Sequence, residues 1–245
     1  MDTSLYVNLS YQSSLTRRLE LIANNIANVN TTAYKAERVM FDDVTFNAGP
    51  AADVSFVIDR ASFTDFQAGT VTQTGNQLDV AIVGEGWLSV QTPEGVRYTR
   101  DGRLQVSATN ELINVDGAQV LDEGGNPILI PQEAASVAIS KNGGVSVQIQ
   151  GEPTPTEIAN LGIFEFDDPN QLIREADGRF GGNVEAQLVE NARVQQFALE
   201  SSNINPIKEI IELMELSRAY TQVTSASDDI HKQKEDSIER LGATQ

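Results

Sequence analysis

The strongest candidates for chemistry are four acidic residues that lie close together in the chain. Asp167 and Asp168 are adjacent, and Glu165 and Asp177 lie nearby. Paired carboxylates can serve as acid and base in glycoside hydrolysis, and they can also bind calcium. A proline and an asparagine follow Asp168, however, and that composition is typical of a surface turn. The turn is the favoured interpretation, and a glycosidase that uses Asp167 and Asp168 is the remote alternative.

Composition excludes several other kinds of site. The chain has no cysteine and a single histidine, His231, which rules out thiol nucleophiles, cysteine-based zinc sites and any site that needs two imidazoles. Gly84 and Gly86 lack a third glycine at the dinucleotide-binding spacing, and a strand-like run follows them, so they predict a turn. We therefore expect no catalytic residue, no cofactor and no bound metal.

Net charge and hydropathy limit the classes of partner. The 17 basic and 35 acidic residues give a net charge of −18, which repels phosphate backbones and anionic lipid. No apolar run approaches the roughly 18 residues of a membrane-spanning helix. Arg17, Arg18 and Glu20 interrupt the apolar stretch that a cleaved signal peptide needs. We expect no nucleic acid partner, no direct membrane insertion, and either a cytosolic location or export without a cleaved signal.

Glycine content and charge separate a central segment from two ends. Seventeen of the 18 glycines lie between positions 49 and 182, and residues 1–48 contain neither glycine nor proline. Because glycine and proline break helices, the ends favour long helices and the middle favours β structure. Residues 41–202 carry eight basic and 24 acidic groups, a net charge of −16, which suits a solvated domain. The nearly neutral ends suit packing against other surfaces.

Both ends show the apolar spacing of a coiled-coil helix. The N-terminal positions, at intervals of 4, 3, 4 and 3, are Leu15, Leu19, Ile22, Ile26 and Val29. The C-terminal positions are Leu213, Leu216, Tyr220, Val223, Ser227, Ile230, Lys234 and Ile238. Asn205 and Pro206 supply an N-cap and a first helical residue for the second helix. The two helices can pair within one chain, but their seams are narrow, and further copies of the chain are the simplest source of additional neighbours.

The central segment alternates short strand-like runs with turns. Runs at residues 78–83, 87–90 and 96–99 read as strands, with a turn at Pro93-Glu94-Gly95 between the last two. Asp101-Gly102 then reads as a hairpin signal. Turns at this spacing predict an all-β sandwich or barrel. The predicted fold class is therefore α+β, with long N- and C-terminal helices forming a coiled-coil pair and a central all-β domain.

Four motifs occur in the order in which one known family carries them. They are IANNIANVNTTAYK at residues 22–35, TGNQLDVAIVGEGW at 74–87, YTRDGRL at 98–104, and a C-terminal stretch from Ser202 through Tyr220. They resemble the signatures of flagellar axial proteins, which form the rod, the hook and the hook-associated structures. The modest length and the opening Met1-Asp2 are most similar to the proximal-rod member, with a distal-rod or hook-type protein as the alternative.

This resemblance implies a structural subunit and not an enzyme. It implies a terminal helical polymerisation domain at residues 1–35 and 203–245, an extended connecting arm at 36–77, and an outer β domain at 78–202. The helices would form an inner layer around a central export channel. The implied partners are copies of the chain itself, other proximal and distal rod proteins, the MS-ring or export gate, and periplasmic ring proteins. The implied location is the periplasm-spanning rod of the basal body, reached through the flagellar type III export system.

A third class of function, besides a structural subunit and a glycosidase, is a soluble β-domain binding protein with a folded helical hairpin.

Twelve residues are predicted to lie at the subunit interface. They are Leu15, Leu19, Ile22, Asn25, Ile26, Asn28, Val29, Ile207, Ile211, Met214, Arg218 and Tyr220. Asn25 and Asn28 are expected to form hydrogen bonds between subunits that fix the helical register, with a simple cap of the first helix as the alternative. Arg218 is expected to bridge to an acid of a neighbouring subunit while Tyr220 packs across the interface. An exposed arginine beside a core tyrosine is the alternative.

Overall fold

In chain order, a long helix precedes a β-rich middle segment and a second long helix follows it. The computed structural model of the chain describes residues 3–46, 54–151, 154–175, 177–182, 184–189 and 192–242. Helix α1 spans Thr3–Ala27 and helix α2 spans Pro206–Gly242. The α+β class and the start of the second helix at Pro206 are confirmed. The opening Met1-Asp2 and the side chains of Lys234 and Ile238 lie outside the described residues.

Short strands make up most of the described chain between the helices. In chain order they are β1 Glu37–Phe46, β2 Val54–Thr64, β3 Val71–Gln73, β4 Val80–Ile82, β5 Trp87–Thr92, β6 Gly95–Thr99, β7 Leu104–Val106, β8 Leu112–Asn114, β9 Gln119–Val120, β10 Ala134–Ile139, β11 Gly144–Ile149, β12 Thr156–Asn160, β13 Ile163–Glu165, β14 Ile173–Arg174, β15 Phe180–Gly181, β16 Gln187–Leu188, β17 Val194–Gln196 and β18 Ala198–Glu200. A 3-10 helix lies at Pro169–Gln171. Over the described residues, neither long helix has the apolar character that crossing a membrane requires.

The chain forms two compact units. The helical unit comprises Met1–Val29, Ala36–Asp65 and Ile204–Gln245, and the β unit comprises Asn30–Lys35 and Phe66–Asn203. Strands β1 and β2 therefore group with the two helices, and the remaining strands form the β unit. Each unit has its own packed interior.

Within the helical unit, α1 and α2 run antiparallel and share a small apolar core. Leu15, Ile22 and Leu216 are buried at its centre. Partly buried side chains surround them, namely Leu19, Ile26, Leu213, Ala219, Tyr220 and Val223. Most of these positions belong to the two seams read from the sequence. The narrow core agrees with seams that are only one or two residues wide.

Strands β1 and β2 form an antiparallel hairpin in the segment for which the sequence predicts an extended arm. Glu37 lies opposite Thr64 and Phe46 lies opposite Val54, with a register shift between Met40 and Phe41. The connection between the two strands falls in residues 47–53, which lie outside the described residues.

The β unit is built from antiparallel sheets. Its largest sheet has the order β14-β15-β6-β5-β9-β8-β7, and β13 pairs with both β5 and β16. Strands β10, β11 and β12 form a second sheet, and β17 pairs with β4 and β18 with β3. The most deeply buried aliphatic core residues are Val80, Leu88, Val90, Leu112, Val120, Ile128, Val145, Val147 and Ile163. Because every strand is short, the core depends on residues from many separate strands.

The predicted turns differ in whether they join paired strands. The turn at Pro93-Glu94-Gly95 closes the β5–β6 hairpin, whereas the turn at Gly84 and Gly86 connects β4 to β5, which do not pair with each other. The hairpin predicted at Asp101-Gly102 is wrong, because β6 pairs with β5 and β15 whereas β7 pairs with β8. Gly102 instead lets the backbone approach β4, where its carbonyl accepts a hydrogen bond of 3.0 Å from Val80 N.

Candidate functional site

One face of α2 carries exposed apolar side chains. Ile207, Ile211 and Met214 are 70%, 52% and 51% exposed, and Ile210 beside them is 46% exposed. Their spacing of four and three residues places the first three on a single stripe of the helix. The face with Leu216 packs against α1 instead. An apolar stripe left in water is typical of a surface that binds a partner.

Polar contacts fix the pairing of α1 with α2. Gln12 Nε2 donates a hydrogen bond of 3.2 Å to Tyr220 Oη, and Arg18 Nη2 forms an ion pair of 2.9 Å with Glu212 Oε1. Gln12 lies three residues before Leu15, in line with the apolar seam of α1, and its amide is paired with the phenol of the facing helix. Tyr220 is thereby engaged within its own chain, while Arg218 is exposed to solvent.

Of three predicted interface residues near the end of α1, two have local roles and the third lies outside the helix. Asn25 is 2% exposed, donates from Nδ2 to Glu37 O at 3.0 Å, and accepts from Glu37 N at 3.1 Å through Oδ1. Asn28 Nδ2 donates to Asn24 O at 2.9 Å and so caps the helix end. Val29 lies beyond Ala27, where α1 ends. The side chain of Asn25 therefore joins α1 to the first residue of β1 as a backbone group would.

Asn25→Ala should lower the free energy of unfolding of the helical unit by about 1–3 kcal/mol. The substitution removes the buried amide that is hydrogen-bonded to the backbone N–H and C=O of Glu37. Amide hydrogen exchange at Glu37 and the thermal transition followed by circular dichroism measure the effect. Asn30→Ala is the matched control, since Asn30 is exposed and should change stability by no more than about 0.5 kcal/mol. Equal stability of the two variants would contradict this role for Asn25.

A buried cluster of charged side chains lies in the β unit. Lys35 and Glu200 are each 1% exposed in their side chains, and Lys35 Nζ lies 2.5 Å from Glu200 Oε1. Arg100 Nε lies 3.5 Å from Glu200 Oε2. Lys35 Nζ also donates to Gln67 O at 2.9 Å, and Gly69 N donates to Glu200 Oε1 at 2.9 Å. We call Lys35, Arg100 and Glu200 the charged junction.

Arg100 is held by a turn and by an aromatic ring as well as by charge. Its Nη2 donates to Gly84 O at 2.6 Å, and its guanidinium carbon lies 5.6 Å from the centre of the Trp87 ring. Burial lowers the pKa of Arg100, while the carboxylates of Glu200 and Glu85 raise it. The turn at Gly84 and Gly86, which the sequence predicts correctly, thus positions an acceptor for the charged junction.

The acidic residues considered for catalysis act in local structure. Asp168 accepts hydrogen bonds from the backbone and side chain of Asn170 and from Gln171 Nε2, and these bonds lower the pKa of its carboxyl. Asp167 accepts from Gln187 Nε2 at 3.1 Å. A general acid needs a raised pKa, so Asp168 is poorly suited to that role. Among the described residues, no three His, Asp or Glu side chains are grouped as a metal site would require.

Three family models match successive parts of the chain. A model described as flagella basal body rod protein matches residues 5–35, one described as flagellar hook protein FlgE/F/G D1 domain matches 81–147, and one described as flagellar basal body rod FlgEFG protein C-terminal matches 195–229. The flagellar basal-body rod protein FlgF of Caulobacter vibrioides is 38% identical over 99% of this chain and 99% of its own length. The chain belongs to the family of flagellar basal-body rod proteins. This is a family of structural proteins and not of enzymes.

Two further relatives bear on which kind of rod protein this is. The rod protein FlgF of Rhizobium meliloti is 35% identical over the full length of both chains. The rod protein FlgG of Agrobacterium fabrum is 30% identical over 86% of this chain and 90% of its own length. The resemblance to the rod family and to its FlgF members is confirmed.

Each matched segment of this rod protein contributes one residue to the charged junction. Lys35 lies in the first segment, Arg100 in the second and Glu200 in the third. Lys35 and Arg100 lie within motifs that the sequence shows, but neither they nor Glu200 are marked by the sequence as members of a buried cluster. Their full burial was the missing information, since isolated Lys, Arg and Glu residues normally read as surface positions.

Proposed function

We propose that this rod protein is a structural subunit of the proximal rod, which polymerises through its terminal helices around the flagellar export channel. The helical ends, residues 1–35 and 203–245, form the polymerisation domain. Residues 36–77 connect them to an outer β domain at 78–202. The partners are further copies of the chain, other proximal and distal rod proteins, the MS-ring or export gate at one end, and periplasmic ring proteins around the shaft. The subunit reaches this location through the flagellar type III export system.

The exposed apolar stripe of α2 carries this proposal. Helix α2 has 37 residues and is about 55 Å long, yet its contact with α1 uses only one side of it. Ile207, Ile211 and Met214 remain in water on another side, where a helix of a neighbouring subunit can cover them. Coiled-coil packing of these helices between subunits would bury the stripe, whose three residues belong to the interface predicted from the sequence.

The buried apolar positions of the predicted interface have a different role in the proposal. Leu15 and Ile22 pack against Leu216 within one subunit, where they hold α1 beside α2. The helix pair then presents the stripe on α2 as one surface. The members that face a neighbour are Ile207, Ile211, Met214 and Arg218, all of which are exposed.

Ile211→Ser tests this assignment. It should leave the chain folded, because the side chain is already 52% exposed, and it should reduce the amount of the protein in purified basal bodies by about tenfold. Quantitative mass spectrometry of basal bodies from a complemented deletion strain measures the loss. Leu129→Ser, at a β-unit position that is 61% exposed, is the matched control and should assemble normally. Normal incorporation of Ile211→Ser would overturn polymerisation through the stripe.

A further inference from the structure

The apolar stripe of α2 ends in a charged residue. Arg218 follows Met214 by four residues, so it continues the line that runs through Ile207 and Ile211. Its side chain is exposed, and no residue that the structure describes forms an ion pair with it. If another subunit covers the stripe, Arg218 loses water at the same time. A desolvated guanidinium requires a carboxylate or several carbonyl groups in compensation.

The helical unit also contains a buried acid, Glu209, in the first turn of α2. The residue is 2% exposed. Among the residues that the structure describes, none forms an ion pair or side-chain hydrogen bond with it. The helix N-terminus stabilises an acid at this position by about 0.3–1 kcal/mol, and an ion pair would add to that stabilisation.

Glu209 lines an open cavity of about 380 Å³ within the helical unit. Residues of α1, α2 and β1 form its wall, and the charged ones are Arg18, Glu37, Arg38, Glu209 and Glu212. Arg18 is paired with Glu212 at 2.9 Å, and Arg38 is paired with Asp65 at 3.3 Å. Both cations are therefore already neutralised. Glu209 therefore contributes a negative charge to the cavity wall, and the cavity has room for a long basic side chain.

From this complementarity we infer that Arg218 of one copy inserts into the cavity of a second copy and pairs with Glu209 there. The inference rests on the proposed function, since it names the contact that polymerisation through α2 would make. Each group supplies what the other lacks: Arg218 is a cation at the end of an apolar stripe, and Glu209 is a buried anion facing an accessible cavity. The apolar stripe supplies the contact area, and the ion pair selects the register.

The contact is head-to-tail. Because Arg218 and Glu209 are different residues, pairing one with the other leaves a free Arg218 on one subunit and a free Glu209 cavity on the other. Heterologous contacts of this kind add subunits without limit unless the rotation closes a ring. Nine residues separate the two positions, so neighbouring parallel helices would be offset by about 13 Å along their axes. A head-to-tail contact with a constant axial offset builds a helical filament, which is the form of a rod.

Cysteine cross-linking tests the pair without background, because the chain has no native cysteine. Glu209→Cys and Arg218→Cys chains are expressed together, and isolated basal bodies are treated with a short bifunctional maleimide. Every chain then carries one cysteine, so each cross-linked dimer must join two subunits. We expect at least fivefold more dimer from the mixture than from either variant alone. Glu94→Cys mixed with Arg218→Cys is the control and should give no excess.

Two results would overturn the inference. The first is a rod that contains both cysteine variants but yields no excess of mixed dimer, which leaves the proposed function intact. The second result applies if a cysteine variant is excluded from the rod, in which case Glu209→Gln and Arg218→Gln are measured instead. Each of these variants should reduce incorporation into the rod by about tenfold or more. Normal incorporation of either variant would contradict the ion pair. Absence of the unmodified chain from basal bodies would instead overturn the proposed function itself.

Discussion

Glu200→Gln should lower the free energy of unfolding of the β unit by about 3–5 kcal/mol. The substitution keeps the size of the side chain and leaves an oxygen that can accept from Gly69 N. It removes the negative charge between Lys35 and Arg100, both of which are buried. Two cations then remain inside the unit without their counter-charge, and that loss accounts for the size of the effect.

Denaturant unfolding followed by tryptophan fluorescence measures this loss. The chain has one tryptophan, Trp87, and its ring lies 5.6 Å from the guanidinium of Arg100. Glu175→Gln is the matched control, because Glu175 pairs with Arg97 in the same unit but its side chain is 33% exposed. That variant should lose about 1 kcal/mol or less. Similar losses in the two variants would show that the charged junction is not a stabilising element.

A double substitution isolates the pair. Lys35→Met should destabilise the β unit about as strongly as Glu200→Gln. It leaves the carboxylate with the hydrogen bond from Gly69 N and with Arg100, at 3.5 Å, as its remaining cation. The two changes together should cost clearly less than the sum of the separate costs, because each removes the same interaction. Additive losses would mean that Lys35 and Glu200 act independently.

The charged junction gives a structural reason for parts of two sequence motifs. Lys35 ends the first motif and Arg100 lies in the third, and both bind Glu200. The second motif has a similar internal role: Asp79 is buried and accepts hydrogen bonds from Thr74 Oγ1 at 2.7 Å and from Asn76 Nδ2 at 2.9 Å. The ion pairs and hydrogen bonds of these buried polar residues therefore stabilise the fold of the β unit.

The helices and several strands could be predicted because their signals are local. Helix α2 begins at Pro206, and the Asn205 side chain accepts from Ile207 N at 3.1 Å and Lys208 N at 3.2 Å, as its N-cap composition predicts. The runs that became β5 and β6 adjoin a turn of three residues with a glycine at its end. Each of these features depends on neighbours a few positions away, so the amino acid types alone define them.

The remaining features depend on partners far away in the sequence. Strands β1 and β2 lack clean alternation, and their register shift between Met40 and Phe41 breaks the period of two that marks a strand. The seam of α2 predicted a helix interface but not which residues would pack against α1 and which would stay in water. The sequence predicts that Asn25 forms hydrogen bonds with a neighbouring subunit, whereas its partner within the chain, Glu37, belongs to a strand that the sequence does not reveal.

Gly102→Ala should destabilise the β unit by about 3 kcal/mol or more. An added Cβ would lie 1.7 Å from the carbonyl oxygen of Val80 and 2.9 Å from its Cγ2. Backbone cannot yield as a flexible side chain would, and Val80 N is bonded to Gly102 O at 3.0 Å, so separating the segments also breaks a buried hydrogen bond. Val80 is 1% exposed in the main core, which means that the displacement would spread to its neighbours.

The control for Gly102→Ala is Gly75→Ala, in the same unit. Gly75 is exposed, and a Cβ there would meet no atom within 4 Å. That substitution should leave stability unchanged or raise it by about 0.4–1 kcal/mol, because alanine restricts the unfolded chain. Unfolding followed through Trp87 should therefore separate the two variants by several kcal/mol. Equal stability would mean that strand β4 can move away from residue 102, and that the glycine of the Asp101-Gly102 pair is needed for neither a turn nor a close approach.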